Sequence, residues 1–143
     1  MAAYPHYLSY FNELAGGAEN GHRVLLDSNL DWGQDLKGLK RWMDANGVER
    51  IKLLYFGYVD PEYYGIAAVY PSGNRWLKYD PPATRRPDEP RYVAISANTL
   101  FGSRLFLDPD DSQRSRSEDL VRDLRSKRPV AIIGHSIYVY RMD

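Results

Sequence analysis

Residues 23–43, RVLLDSNLDWGQDLKGLKRWM, constrain this chain more than any other stretch. Val24, Leu25 and Leu26 form a short apolar run. Asp27, Ser28 and Asn29 make a polar turn, and beyond them apolar residues recur at helical spacing. A strand that passes through a polar turn into an amphipathic helix is the opening of an α/β unit. In open α/β sheets, ligands bind where the strands end, which makes Asp27, Asn29, Asp31 and Trp32 candidate binding residues. Helix geometry offers a second account of Asp31: it suits an N-cap, with Gln34 three residues on completing a capping box. On that reading Asp35, a turn further, rests on the helix dipole.

The rest of the chain extends the pattern. Tyr4, Tyr7, Leu8, Phe11 and Leu14 predict an amphipathic, aromatic helix over residues 4–15, with Pro5 in its first turn and Gly16 and Gly17 as its stop. In the helix after Asp31, Leu36, Leu39, Trp42 and Met43 share one side, and Asn46 with Gly47 ends it. Residues 49–56 read as the second strand, so strand, helix and strand imply a right-handed crossover and a parallel pair. The exit of that strand, GYVDPEYYGI, holds Asp60, Tyr63 and Tyr64, which begin a short helix or line a binding crevice.

Residues 71–90 carry six prolines or glycines and predict an irregular loop, either a lid or a solvated excursion. Residues 92–96, YVAIS, read as the third strand, with Ser96 and Asn98 at its exit. A polar run, DPDDSQRSRS, then leads to a helix capped by Ser117, with Leu120, Val121 and Leu124 buried. Residues 130–133 and IYVYRM, separated by Gly134, His135 and Ser136, form a C-terminal hairpin with Tyr138 and Tyr140 on one face. His135 reads either as a general base or as a solvated turn residue.

The expected fold is therefore a single α/β domain over residues 1–143. It has a mainly parallel sheet of about five strands, helices on both faces and an antiparallel hairpin edge. A chain of this length buries about two-thirds of its unfolded surface in one core.

Several chemistries are excluded or disfavoured. Nineteen basic residues balance nineteen acidic ones, so the chain has no electrostatic footprint for nucleic acid. No cysteine is present, and His6 and His22 lack metal-ligand spacing, so neither a metal nor any other cofactor is expected. The first turn has no phosphate-binding glycine pattern, and GHS at 134–136 lacks the flanking glycines of a nucleophile elbow. Asp27 and Asp60 remain the carboxylate pair that a glycoside hydrolase would need. No apolar run approaches the roughly 20 residues that cross a bilayer. Twelve tyrosines suit a tyrosine-rich core and rim, a binding surface or a membrane interface equally.

Five blocks are familiar as an ordered set: YPHYLSYFNELAGG, DSNLDWGQDLKGLKRWM, YFGYVDPEYYGI, YVAISANTLFG and IGHSIYVYRM. Together they resemble the C-terminal soluble region of bacterial multi-pass membrane glycosyltransferases of the phospholipid carrier-dependent, glycosyltransferase family 39-like or protein O-mannosyltransferase-like group. The resemblance implies an extracytoplasmic (periplasmic) domain displayed at the bacterial inner membrane. Helix 4–15 would lie beside the membrane surface, and the transmembrane part of the parent enzyme would be the partner. Such enzymes move sugar from a polyprenyl phosphate to an acceptor, with their catalytic acid in an external loop of the membrane part that has no counterpart here. The resulting expectation is a non-catalytic accessory domain that binds glycan or acceptor through Asp27, Asn29, Asp31, Trp32, Asp60, Tyr63, Tyr64, Ser96, Asn98 and His135. The alternative is a structural or protein-interaction domain, and a free-standing glycoside hydrolase is the third reading.

Overall fold

Leu36, Leu39 and Met43 recur on one side of a helix and are buried, and that apolar stripe is what fixes α1, Leu36–Ala45. Asn46 closes it by donating its side-chain amide to the Trp42 carbonyl at 2.8 Å. The computed structural model describes residues 34–57, 59–70, 90–102 and 111–142. Within them, α1 is followed by β1, Arg50–Leu54, then a 3₁₀ turn, Pro61–Tyr64, and β2, Ala67–Val69. After these come β3, Tyr92–Ser96; α2, Ala97–Gly102; α3, Asp111–Ser126; β4, Ala131–Ile133; and β5, Ile137–Arg141.

The five described strands form one sheet in the order β2-β1-β3-β5-β4. β1 runs parallel to β2, with Arg50 opposite Ala67, and parallel to β3, with Lys52 opposite Val93. β5 lies antiparallel to β3, with Ser96 opposite Ile137, and antiparallel to β4, with Ile133 opposite Ile137. The sheet is thus mixed, parallel at the β2 end and antiparallel at the β4 end. The α/β class, the five strands and the antiparallel hairpin at one edge match the expectation, and β5 extends the antiparallel part of the sheet by pairing with β3 as well as with β4.

The strands are apolar on both sides, and successive residues join different clusters. Ala94, Ile137, Val139, Ile51 and Leu53 pack with Leu36, Leu39 and Met43 of α1. Val93, Ile95, Tyr138, Tyr140 and Leu54 pack with Ala97 and Leu100 of α2 and Val121 and Leu124 of α3. Tyr138 and Tyr140 therefore share a cluster, and Phe101 meets Tyr138 edge to face at 5.4 Å.

Other expectations need revision. α1 begins at Leu36 with Asp35 at its N-cap, one turn later than a helix capped by Asp31. α3 begins at Asp111 rather than after Ser117, because the run from Ser112 to Arg116 is polar but contains no glycine or proline to stop a helix. β2 and α2 have no counterpart among the expected elements. Each is short, and α2 follows β3 with no intervening turn residue. The expected strand 24–26, helix 4–15 and most of loop 71–90 lie outside the described residues. Among the described residues, no helix is long and apolar enough to cross a membrane.

α1 approaches the sheet closely at Gly38, where an added Cβ would stand 2.6 Å from Cγ2 of Ile133. That methyl belongs to a β-branched side chain and has little room to turn aside. Gly38→Ala should therefore destabilise the fold by about 1–3 kcal/mol, although alanine is the better helix former by about 1 kcal/mol. In an Ile133→Ala background the same change should become neutral or stabilising. Urea unfolding of the four-member cycle checks this, and additive effects would refute the contact.

Candidate functional site

The hairpin between β4 and β5 turns through Gly134 and His135, both at positive φ (56° and 67°), while the Ser136 amide donates to the Ile133 carbonyl at 3.1 Å. Two central residues with positive φ match the primed turns that suit the twist of paired strands. Glycine accepts this backbone without strain, and histidine is among the residues that tolerate it. The turn lies at the carboxyl end of β3, where the Ala97 amide donates to the Ser136 carbonyl at 2.7 Å.

Below the turn is the longest-range polar contact of the site. The Ser136 hydroxyl, wholly buried, donates to the buried carboxyl of Asp35 at 2.6 Å across 101 positions of sequence. Gly134 seals the group from above, since a Cβ there would fall onto the Asp35 carboxyl. On the next strand, the Ser96 and Thr99 hydroxyls are 3.0 Å apart, and the Thr99 amide donates to Ser96 Oγ at 3.3 Å, which caps the start of α2. Asn98 is fully buried beside them in sequence.

Chemically, this group fastens. A nucleophilic serine needs a base able to take its proton and a path for substrate. Ser136 lacks the second, because no part of the residue reaches the surface. A buried hydroxyl and a buried carboxyl that satisfy each other avoid the desolvation cost each would otherwise carry.

A second group sits on the β1–β2 connection. Asp60 caps the 3₁₀ turn, its carboxyl accepting from the Glu62 amide at 2.9 Å, and Pro61 supplies the first position. Tyr63 is 80% exposed and meets Tyr64 edge to face, with ring centroids 5.2 Å apart. Tyr64 is half-buried against the α1 cluster. Tyr70, just past β2, has its phenol pushed up to about 12, chiefly by burial and then by the negative charges of Asp60 and Glu62.

The structure thus divides the candidate residues. Ser96, Asn98 and His135 gather around the β3–β5 end. Asp60, Tyr63 and Tyr64 lie on the connection leading to the opposite edge, that of β2. Asp27, Asn29, Asp31 and Trp32 lie outside the described residues, so the pairing of Asp27 with Asp60 is not described either. Among the described residues, no three His, Cys, Asp or Glu side chains are placed to hold a metal ion. Sequence reasoning missed the Asp35–Ser136 pair and assigned Asp35 to the helix dipole alone. The one local sign of it was a glycine preceding a histidine–serine pair in a hairpin turn.

Comparison with known proteins finds no matching family model, no curated protein and no solved structure of significant similarity.

Two predictions follow from this geometry. Ser136→Ala strips a buried carboxyl of this donor and should cost about 1–3 kcal/mol in urea unfolding. A loss within error would show that the bond contributes nothing.

The second concerns alkaline pH. Tyr140, like Tyr70, is pushed up to about 12, by burial and then by Tyr138, from an ordinary value of 10.0. Above pH 10 the unfolded chain releases these phenolic protons while the folded chain keeps them. The folded state then binds more protons, and stability present below pH 10 falls as pH rises toward 12. In a spectrophotometric titration, Tyr70 and Tyr140 should ionise later than tyrosines on the surface. Asp60→Asn with Glu62→Gln should bring Tyr70 down and leave Tyr140 unmoved.

Proposed function

We propose that this chain is a non-catalytic accessory domain of a bacterial membrane glycosyltransferase of the phospholipid carrier-dependent, family 39-like group. In this reading the transmembrane part of the parent enzyme performs the sugar transfer, and this domain meets glycan or acceptor on the periplasmic side. The five ordered sequence blocks support the parentage.

One observation carries the binding reading: the two polar groups of the fold are used differently. Asp35, Ser136, Ser96 and Thr99 are buried and bonded to protein atoms, whereas Tyr63 stands 80% exposed beside Tyr64 in a turn that also carries Asp60 and Glu62, both exposed. A sugar offers a C–H face that packs on an aromatic ring and hydroxyls that donate to carboxylates. The 3₁₀ turn has both partners at the surface, so the contact is assigned to Asp60, Glu62, Tyr63 and Tyr64 rather than to the strand ends as a whole.

The fold in this reading has helices on both faces of the sheet, α1 on one and α2 with α3 on the other. Support comes from the strict alternation along β3 and β5, whose successive residues pack with α1 and with α2 and α3 in turn. A protein-interaction role for the same turn is the second reading, favoured by Val59, which is apolar and 41% exposed four residues before Tyr63.

Saturation-transfer NMR with a panel of monosaccharides, short glycans and phosphorylated sugar head groups tests the proposal. Transfer from the Tyr63 ring is expected with at least one ligand, lost in Tyr63→Ala and retained in His135→Ala. A flat response across the panel would overturn glycan binding and leave the protein-interaction reading.

A further inference from the structure

We propose that the end of the sheet at which β1, β3 and β4 begin is a docking surface for an anionic phospholipid bilayer, met through Arg91, Arg128 and Arg141 with Arg50 beside them. The inference is separate from the glycan reading and uses none of its residues.

Strand register gathers these side chains. β3 and β4 both run antiparallel to β5, so they begin at one end, where β1 also begins and β5 finishes. Tyr92 of β3 lies opposite Arg141 of β5, and the Met142 amide donates to the Arg91 carbonyl at 2.7 Å. Lys52 lies opposite Val93, and the same register continued two residues back sets Arg50 beside Arg91. β4 is entered with the Val130 amide donating to the Val139 carbonyl at 2.7 Å, so Arg128, two residues earlier, approaches the same end. Four arginines that are distant in sequence thus meet at the ends of β1, β3, β5 and β4, which are neighbours in the sheet. With strands about 4.8 Å apart, the array is about 15 Å wide.

The balance of nineteen basic and nineteen acidic residues over the chain hides this local excess. Arg91, Arg128 and Arg141 are exposed, and Arg50 is half-buried. Nearby, the charge of Lys127 is answered by Asp123 at 2.7 Å and that of Lys40 by Asp44. Among the described residues, Glu49 is the acid that adjoins the array in sequence. The exposed Asp60 and Glu62 belong to the connection leading to β2, at the far edge of the sheet from Arg128. Val93 and Ile95 pack in the cluster of α2 and α3, while Ile137 and Val139 pack in that of α1. By the same alternation Arg91 extends one face and Arg141 the other, so this end is basic on both.

The shape of the array selects its partner. A single phosphate is held in a concavity where donors converge, whereas these charges are spread along an edge, which matches many anionic head groups lying in a plane. Single-stranded nucleic acid needs aromatic faces open for base stacking. The rings at this end, Trp42 and Tyr92, are half-buried and packed edge to face on each other at 5.4 Å. Arginines around half-buried tryptophan and tyrosine are instead the composition of a membrane–water boundary, where the rings sit at head-group level and the guanidinium groups stay in the polar layer.

Co-sedimentation of the full chain with vesicles tests this, using phosphatidylcholine alone and phosphatidylcholine mixed with phosphatidylglycerol. Binding is expected to the mixed vesicles at low salt, lost at high salt and absent with phosphatidylcholine alone. Each of Arg91→Gln, Arg128→Gln and Arg141→Gln should weaken it about fivefold. Lysine at all three positions should preserve it, because the surface responds to charge. Tyr63→Ala, which removes the proposed glycan contact, should bind vesicles like the parent, so the two readings fail separately. Circular dichroism first confirms that each variant folds. The control is Lys37→Gln, an exposed position in the first turn of α1, where the helix meets the hairpin at the other end of the sheet. No binding to the mixed vesicles, equal binding to both vesicle types, or binding unchanged by the three exchanges to glutamine overturns the proposal. So does a loss with Lys37→Gln as large as with each arginine, displacement by soluble glycerol phosphate, or tighter binding to a single-stranded oligonucleotide.

Discussion

A buried carboxyl tolerates few neighbours, and much of this structure is arranged around one. Asp35 sits where α1 begins, so whatever holds its side chain also holds the helix against the sheet. Ser136 does so from the β4–β5 turn, and the Ala97 amide binds the carbonyl of the same serine. A single residue in a hairpin thereby ties three elements together: the start of α1, the start of β5, and the junction of β3 with α2. The apolar clusters provide most of the stabilisation, since each fully buried leucine or isoleucine contributes about 1.5–3 kcal/mol. Apolar contacts alone leave the position of a helix along a sheet loosely specified. The hydroxyl–carboxyl bond has one satisfactory geometry and selects it.

The same constraint explains the turn. A carboxyl packed beneath a hairpin leaves no space for a side chain at the residue above it, and Gly134 meets that demand as well as the positive φ. Steric exclusion and backbone conformation are thus two independent reasons for one glycine. At His135 the demand is one of backbone conformation, its φ being 67°.

How much of this was readable in the sequence depended on range. Leu36, Leu39 and Met43 announced α1 through spacing alone, and Tyr138 with Tyr140 announced a common face of β5, because both signals are local and repeat within a few residues. Signals that depend on a distant partner were silent. Asp35 looked like a first-turn acid because nothing near it in sequence reveals Ser136 a hundred positions away. β5 was expected at a margin, since the hairpin is visible locally while its second partner, β3, is forty positions upstream. β2 failed for a different reason: three residues, AAV, carry too little hydrophobic pattern to stand out, and their register comes from the neighbouring β1. Of the candidate site, the residue types at the strand exits were legible, but their exposure was not. Exposure is what separates Ser96 and Asn98, enclosed by packing, from Tyr63, lifted clear of it by a proline-initiated turn.

That separation bears on the proposed role, in which the domain binds glycan and the chemistry takes place elsewhere. Polar groups used to fasten elements must be dehydrated and mutually satisfied, and those conditions remove them from any ligand. Groups that meet a sugar must keep water as their alternative partner until it arrives, which requires short, exposed connections whose backbone is already satisfied. The 3₁₀ turn fits that description: Asp60 and Pro61 settle its first position, and the Gly65 and Ile66 amides return to the Glu62 and Pro61 carbonyls at 2.8 and 3.2 Å. With its own hydrogen bonds closed, the turn can present Tyr63 rigidly at little entropic cost on binding. The rigid core and the exposed turn are therefore complementary consequences of where each polar group finds its hydrogen bonds.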